Sequence, residues 1–125
     1  MDYACECDYD SPSVYSATKP RARKRYCCEE CGSPILPGDR YENVFGVWDG
    51  WATTFRTCEQ CHDLRVWVKN NVPCLCVMHG NMDEEMSEAV ESACYRAPDE
   101  TRGLKFGFLR RKILRRRFNE QRRAA

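Results

Sequence analysis

Two cysteine pairs, Cys28-Glu29-Glu30-Cys31 and Cys58-Glu59-Gln60-Cys61, place the strongest constraint on what this chain can fold into. Two thiolates separated by two residues grip one metal ion without straining the backbone. Two such pairs complete a tetrahedral four-cysteine shell, the closed geometry of structural zinc. A cross-link of this kind is also needed. The chain has 125 residues, 31% of them charged, and ten of its apolar-class residues are cysteines, so the expected core is thin.

Ten cysteines also admit disulfides. The first twenty residues hold no basic segment followed by an apolar one, and no run of about 18 apolar residues occurs. The expectation is a soluble protein in a reducing cytosol, with no membrane segment, where thiols persist and bind metal.

The first expected site is Cys28, Cys31, Cys58 and Cys61 holding one Zn2+. Cys27 rivals Cys28, but Cys28 has the tighter spacing to Cys31; the spare Cys27 is then expected to be a small buried hydrophobe, and Cys94 a core residue. A second Zn2+ site is possible at Cys5, Cys7, Cys74 and Cys76, with His79 as the rival ligand through Cys76-x-x-His79. His62 reads as solvent-facing or as supporting a ligand. Four thiolates close the shell and leave no position for water, so neither zinc is expected to be catalytic. No Gly-rich phosphate loop or nucleophile motif is present, and Asp83, Glu84 and Glu85 read as acids suited to a helix N-terminus.

The pattern between the pairs is legible. Residues 40–48 and 51–57 are rich in β-formers, and Asp49-Gly50 between Trp48 and Trp51 predicts a hairpin with a type I′ turn. Cys61 should open a helix over 62–71, with Leu64, Trp67 and Val68 at helical spacing. Asn81, with Glu84 three residues on, predicts the cap of a second helix whose apolar stripe is Met82, Met86, Ala89, Val90 and Ala93. A last helix is predicted over 104–120, with Phe106, Leu109, Ile113 and Phe118 near one side. The predicted fold is a small, metal-stabilised α+β: a zinc knuckle, a β-hairpin and a helix, then two further helices. The segments are 1–25, a Cys-x-Cys strip with linker and basic arm; 26–80, the zinc-binding core; 81–101, an acidic helix and loop; and 102–125, a basic helix.

The net charge of +1 conceals segregation. Residues 81–100 carry seven acidic groups against one arginine, and residues 102–125 carry ten basic residues against one glutamate. Two basic blocks are candidate contacts for nucleic acid or a protein partner: Arg21, Arg23, Lys24 and Arg25, then Arg110, Arg111, Lys112, Arg115, Arg116 and Arg117. They bind phosphates, or the basic helix folds back onto the acidic one, or it is a solvated tail. No small-molecule substrate is indicated.

The order of knuckle, hairpin and helix over residues 26–71 resembles the treble-clef zinc module. Some members are His-Asn-His nucleases, which need a histidine at the hairpin's end; residues 40–57 contain none, so an enzyme is not expected. A wider likeness rests on Cys5-x-Cys7-Asp8-Tyr9, Ala22-Arg23-Lys24, the first CxxC, Pro37-Gly38-Asp39-Arg40-Tyr41, Gly46-Val47-Trp48-Asp49-Gly50, Arg56-Thr57 before the second CxxC, and Cys74-x-Cys76-x-x-His79-Gly80. It is similar to a group of short proteins carried by bacteriophages and prophages. The resemblance implies a zinc-binding accessory protein in a bacterial host's cytoplasm, binding nucleic acid or a host protein.

Overall fold

A computed structural model describes residues 13–72, 75 and 79–123, with backbone alone for Arg123. Cys5, Cys7, Cys74 and Cys76 lie outside the described residues, so the expected second ligand set is represented here only by His79.

The hairpin forms as its turn chemistry demands. Strand β4 (Tyr41–Trp48) pairs antiparallel with β5 (Trp51–Cys58), from Tyr41 opposite Cys58 to Trp48 opposite Trp51. Asp49 and Gly50 both have positive φ, 50° and 80°, as a type I′ turn requires. Gly46 has a separate reason to be glycine: a Cβ there would lie 2.3 Å from the Trp48 ring, which folds across it.

Strand β1 (Val14–Thr18) pairs with the other edge of β4, giving the sheet order β1-β4-β5. This corrects the expected linker over this stretch: Val14, Tyr15 and Thr18 are strand formers, and their pairing outweighs the Ser and Pro around them. The basic arm that follows is also tied down. The Ala22 N–H donates to Asp39 O, Gly38 N–H donates to Ala22 O, and Ala22 is buried. Short strands β2 (Tyr26–Cys27) and β3 (Pro34–Ile35) bracket the first CxxC as a knuckle, closed by Cys28 N–H to Ser33 O and Gly32 N–H to Cys28 O.

Helix α1 (Glu59–Asn71) begins where β5 ends, and Cys58 is its cap residue. Helix α2 (Met82–Arg96) buries Met82, Met86, Val90 and Ala93 of the stripe predicted for it, and the stripe's Ala89 is half-buried against the core. Its N-terminus is capped otherwise than expected. The Asn81 side chain makes no cap bond; the Glu30 carboxylate of the knuckle accepts from the N–H groups of Gly80 and Met82. A carboxylate suits the positive end of the helix dipole and satisfies N–H groups that have no intrahelical partner.

Helix α3 (Leu104–Arg123) contacts both α1 and α2. Its inward face differs from the predicted stripe. Leu104, Phe108 and Asn119 are buried, and the Arg115 side chain is 10% exposed, whereas Phe106, Leu109 and Ile113 are 72%, 47% and 41% exposed and Phe118 is also exposed. The physical reason lies in the neighbours. The first turns of α3 meet apolar core residues, but later turns meet sulfurs and carboxylates, which need donors rather than methyl groups.

Candidate metal centre

Each cysteine of the two pairs arrives by a separate local device. The β2–β3 knuckle presents Cys28 and Cys31, with Gly32 at φ 73° completing the tight turn. The last residue of β5 is Cys58, and the first turn of α1 carries Cys61. The four sulfurs lie within 4.8 Å of one another. Cys28 Sγ is 3.9 Å from Cys61 Sγ, and Cys31 Sγ is 3.7 Å from Cys58 Sγ. Four ligands about 2.3 Å from a tetrahedral zinc ion would sit about 3.8 Å apart, while a disulfide needs sulfurs about 2.05 Å apart. The cluster therefore has the dimensions of a metal site and not of a pair of disulfides. Cys28, Cys58 and Cys61 are buried, and Cys31 is half-buried.

The electrostatics agree. Cys31 is pushed far below the ordinary thiol range, first by its side-chain contact with Cys28, then by those with Cys58 and Cys61. Cys61 is pushed far up, first by Cys28 and then by Cys31 and Cys58. Without a cation, four sulfurs this close share their protons unequally and cannot all ionise. A divalent ion replaces those protons and lets all four become thiolates.

The surrounding groups donate. The Cys58 N–H lies 3.3 Å from Cys28 Sγ, Arg115 Nη1 lies 3.5 Å from Cys61 Sγ, and Asn119 Nδ2 lies 3.4 Å from Cys31 Sγ. Arg115 also grips Asp83 with both guanidinium nitrogens, at 2.7 and 2.9 Å. Asn119, Glu30 and the inward turn of Arg115 have no local sequence signature.

The other sequence candidates fall into place around this site. Spacing selected Cys28 correctly over Cys27. Cys27 is exposed, not buried as expected, because it lies on β2 and directs its thiol to Gly32 O at 3.3 Å. Cys94 is half-buried and packs against the core. His62 faces Glu42 at 3.5 Å, beside the Arg65–Glu42 ion pair, and is not part of the four-sulfur cluster. His79 stacks on Phe55 at 5.1 Å between ring centroids. Its Nδ1 is buried without a hydrogen-bond partner, and burial first, then the Arg65 charge, lowers its pKa.

Among the candidate basic contacts, Arg21, Arg23, Lys24, Arg25, Arg110, Arg111, Arg116 and Arg117 are exposed, Lys112 is half-buried, and Arg115 is turned inward. Arg111 lies over the Trp67 ring, 4.1 Å from its centroid. Arg21 donates to Gly38 O at 3.1 Å, and Arg122 pairs with the carboxylate of Asp39, the next residue. The arm and the end of α3, far apart in sequence, thus meet at one turn. No described helix is long and apolar enough to cross a membrane. No family model, curated protein or solved structure matches the chain.

Proposed function

We propose that this chain is a non-catalytic zinc protein in which Cys28, Cys31, Cys58 and Cys61 hold one structural Zn2+ and the fold so held presents two basic segments to nucleic acid. The sulfur geometry supports the first half: a closed shell of four thiolates stabilises a fold and leaves no open position for substrate or water. The second half rests on the meeting of Arg21 and Arg122 at adjacent residues of the Gly38–Asp39 turn. On this reading the exposed Arg23, Lys24 and Arg25 of the arm and the exposed Arg116 and Arg117 of α3 supply the phosphate contacts. The sequence likeness to phage-carried proteins supports a bacterial host's cytoplasm as the setting and an accessory role. A second Zn2+ at Cys5, Cys7, Cys74 and Cys76 remains part of this reading, and the unpartnered Nδ1 of His79 supports His79 as its alternative ligand.

The test is a salt titration of binding to a labelled duplex and a labelled single strand. Log affinity should fall linearly with log salt, and the slope should lose about 0.9 for each duplex phosphate contact removed by Arg23→Ala, Arg116→Ala or Arg117→Ala. Absence of binding to either probe at low salt refutes the nucleic-acid half.

One observation favours a second reading, in which the chain docks on a host protein of the defence or transcription machinery and inhibits or redirects it. Phe106, Leu109 and Ile113 follow i, i+3, i+7 spacing on the outer face of α3, beside Arg110, Arg116 and Arg117. An exposed apolar strip with a charged margin is the layout of a helix that seats in an acidic-rimmed groove. A stoichiometric complex recovered after nuclease treatment, lost on Phe106→Ala with Ile113→Ala, supports this reading over the first.

A further inference from the structure

We propose that Arg115 and Asn119 belong to the metal centre, donating N–H bonds to the thiolates of Cys61 and Cys31 and so setting the charge that the ion and its four sulfurs carry. This rests on the zinc reading and extends it to residues that the basic patch would otherwise claim.

The argument begins with charge. One divalent cation and four thiolates leave two negative charges in excess, in a place where three of the four cysteines are buried. Buried negative charge is costly unless donors meet it. The Cys58 backbone N–H serves Cys28. The guanidinium of Arg115 serves Cys61, and the amide of Asn119 serves Cys31. Their four-residue spacing puts them one above the other on a single face of α3.

Burial sets these two apart from the remaining polar residues of the helix. Asn119 is one of its buried residues although its side chain is polar, and Arg115 is 10% exposed while Arg116 and Arg117 are exposed. Asp83 holds the Arg115 fork in place from α2, as an outer carboxylate orients a group that faces a metal site. Arg115 and Asn119 are therefore positioning residues. Each withdraws electron density from its sulfur, lowers the cost of the buried dianionic centre, and fixes the rotamer of its cysteine.

A plain ion pair between Arg115 and Asp83 would pack α3 equally well, so the test separates the two. The reduced full-length chain is loaded with Co2+ for its sulfur-to-metal charge-transfer band, and Zn2+ affinity is measured by competition with a chromophoric chelator. Asn119→Leu and Arg115→Gln should each weaken zinc binding roughly 10- to 100-fold. Each should also move the charge-transfer band to longer wavelength, because a sulfur stripped of its donor gives up electron density more readily. Asn119→Asp, which sets a carboxylate against a thiolate, should weaken zinc binding more than Asn119→Leu. Asp83→Asn frees the Arg115 fork and should move the band no further than Arg115→Gln does, whereas Asn119→Leu should move it with the ion pair intact.

Variants with unchanged affinity and band, in a wild-type chain that does bind one ion, overturn this proposal alone. An Asp83→Asn chain that moves the band further than Arg115→Gln, with the band of Asn119→Leu in place, also overturns it. A wild-type chain that binds no ion removes the zinc reading and this proposal together. Should Arg115→Gln fail to fold, the two Asn119 variants decide.

Discussion

At the residue scale, the cysteines divide by position and not by chemistry. Cys28 and Cys27 are neighbours, yet one is buried in the sulfur cluster and the other is exposed on β2. Cys58→Ser should lower the metal count by one ion per chain, because a hydroxyl is a poor ligand and three sulfurs leave the shell open. The chain should then lose its fold, given that structural zinc supplies about 10–16 kcal/mol in small zinc peptides. Cys27→Ser should keep the wild-type metal count and an unchanged melting curve. Native mass spectrometry of the two variants checks both, and a Cys58→Ser chain with the wild-type metal count would contradict the ligand assignment. The tight spacing that favours Cys28 was visible in the sequence. Arg115 and Asn119 were not, since they reach Cys61 and Cys31 across 54 and 88 residues of chain. Nothing local distinguishes them from the surrounding arginines.

At the element scale, the parts governed by short-range chemistry could be read in advance. Asp49-Gly50 specifies its turn, and Gly50 at φ 80° gives a direct test. Gly50→Val forces a β-branched residue into a left-handed conformation and should cost about 1–2 kcal/mol of stability in the metal-loaded protein, measured by chemical denaturation. The α2 stripe was also readable, because Met82, Met86, Val90 and Ala93 join one apolar core cluster. Three things were not. Strand β1 depends on pairing with β4, a tertiary event. The inward face of α3 depends on sulfurs and on Asp83 and Asp39, so a search for its most apolar side selects the outer face. The cap of α2 is a third case, supplied by Glu30 from 50 residues away. Glu30→Ala should cost about 1–2 kcal/mol, as loss of a helix cap does, and should speed amide hydrogen exchange at residues 80–84. Metal stoichiometry should stay the same, since Glu30 faces the helix and not the ion.

At the scale of the whole molecule, these ties decide how the protein comes apart. The knuckle reaches α2 through Glu30, α3 reaches the sulfurs through Arg115 and Asn119, and Arg115 joins α3 to α2 through Asp83. The core between the helices is small, built on Leu64, Val68, Met86, Val90 and Phe108 with a few neighbours. The opposite charges of α2 and α3 add little: Glu84, Glu88 and Glu91 face solvent, and exposed ion pairs contribute about 0–1 kcal/mol each. The helices thus have no independent source of stability comparable with the metal. Chelation under reducing conditions should remove the hairpin and helices α1, α2 and α3 in one cooperative transition, followed by far-ultraviolet circular dichroism. Readdition of Zn2+ should restore the signal. A chelated chain that kept its helical signal and lost only the sheet would show that α2 and α3 form a unit separate from the metal, and the hydrogen bonds from α3 to the thiolates would then carry no structural weight.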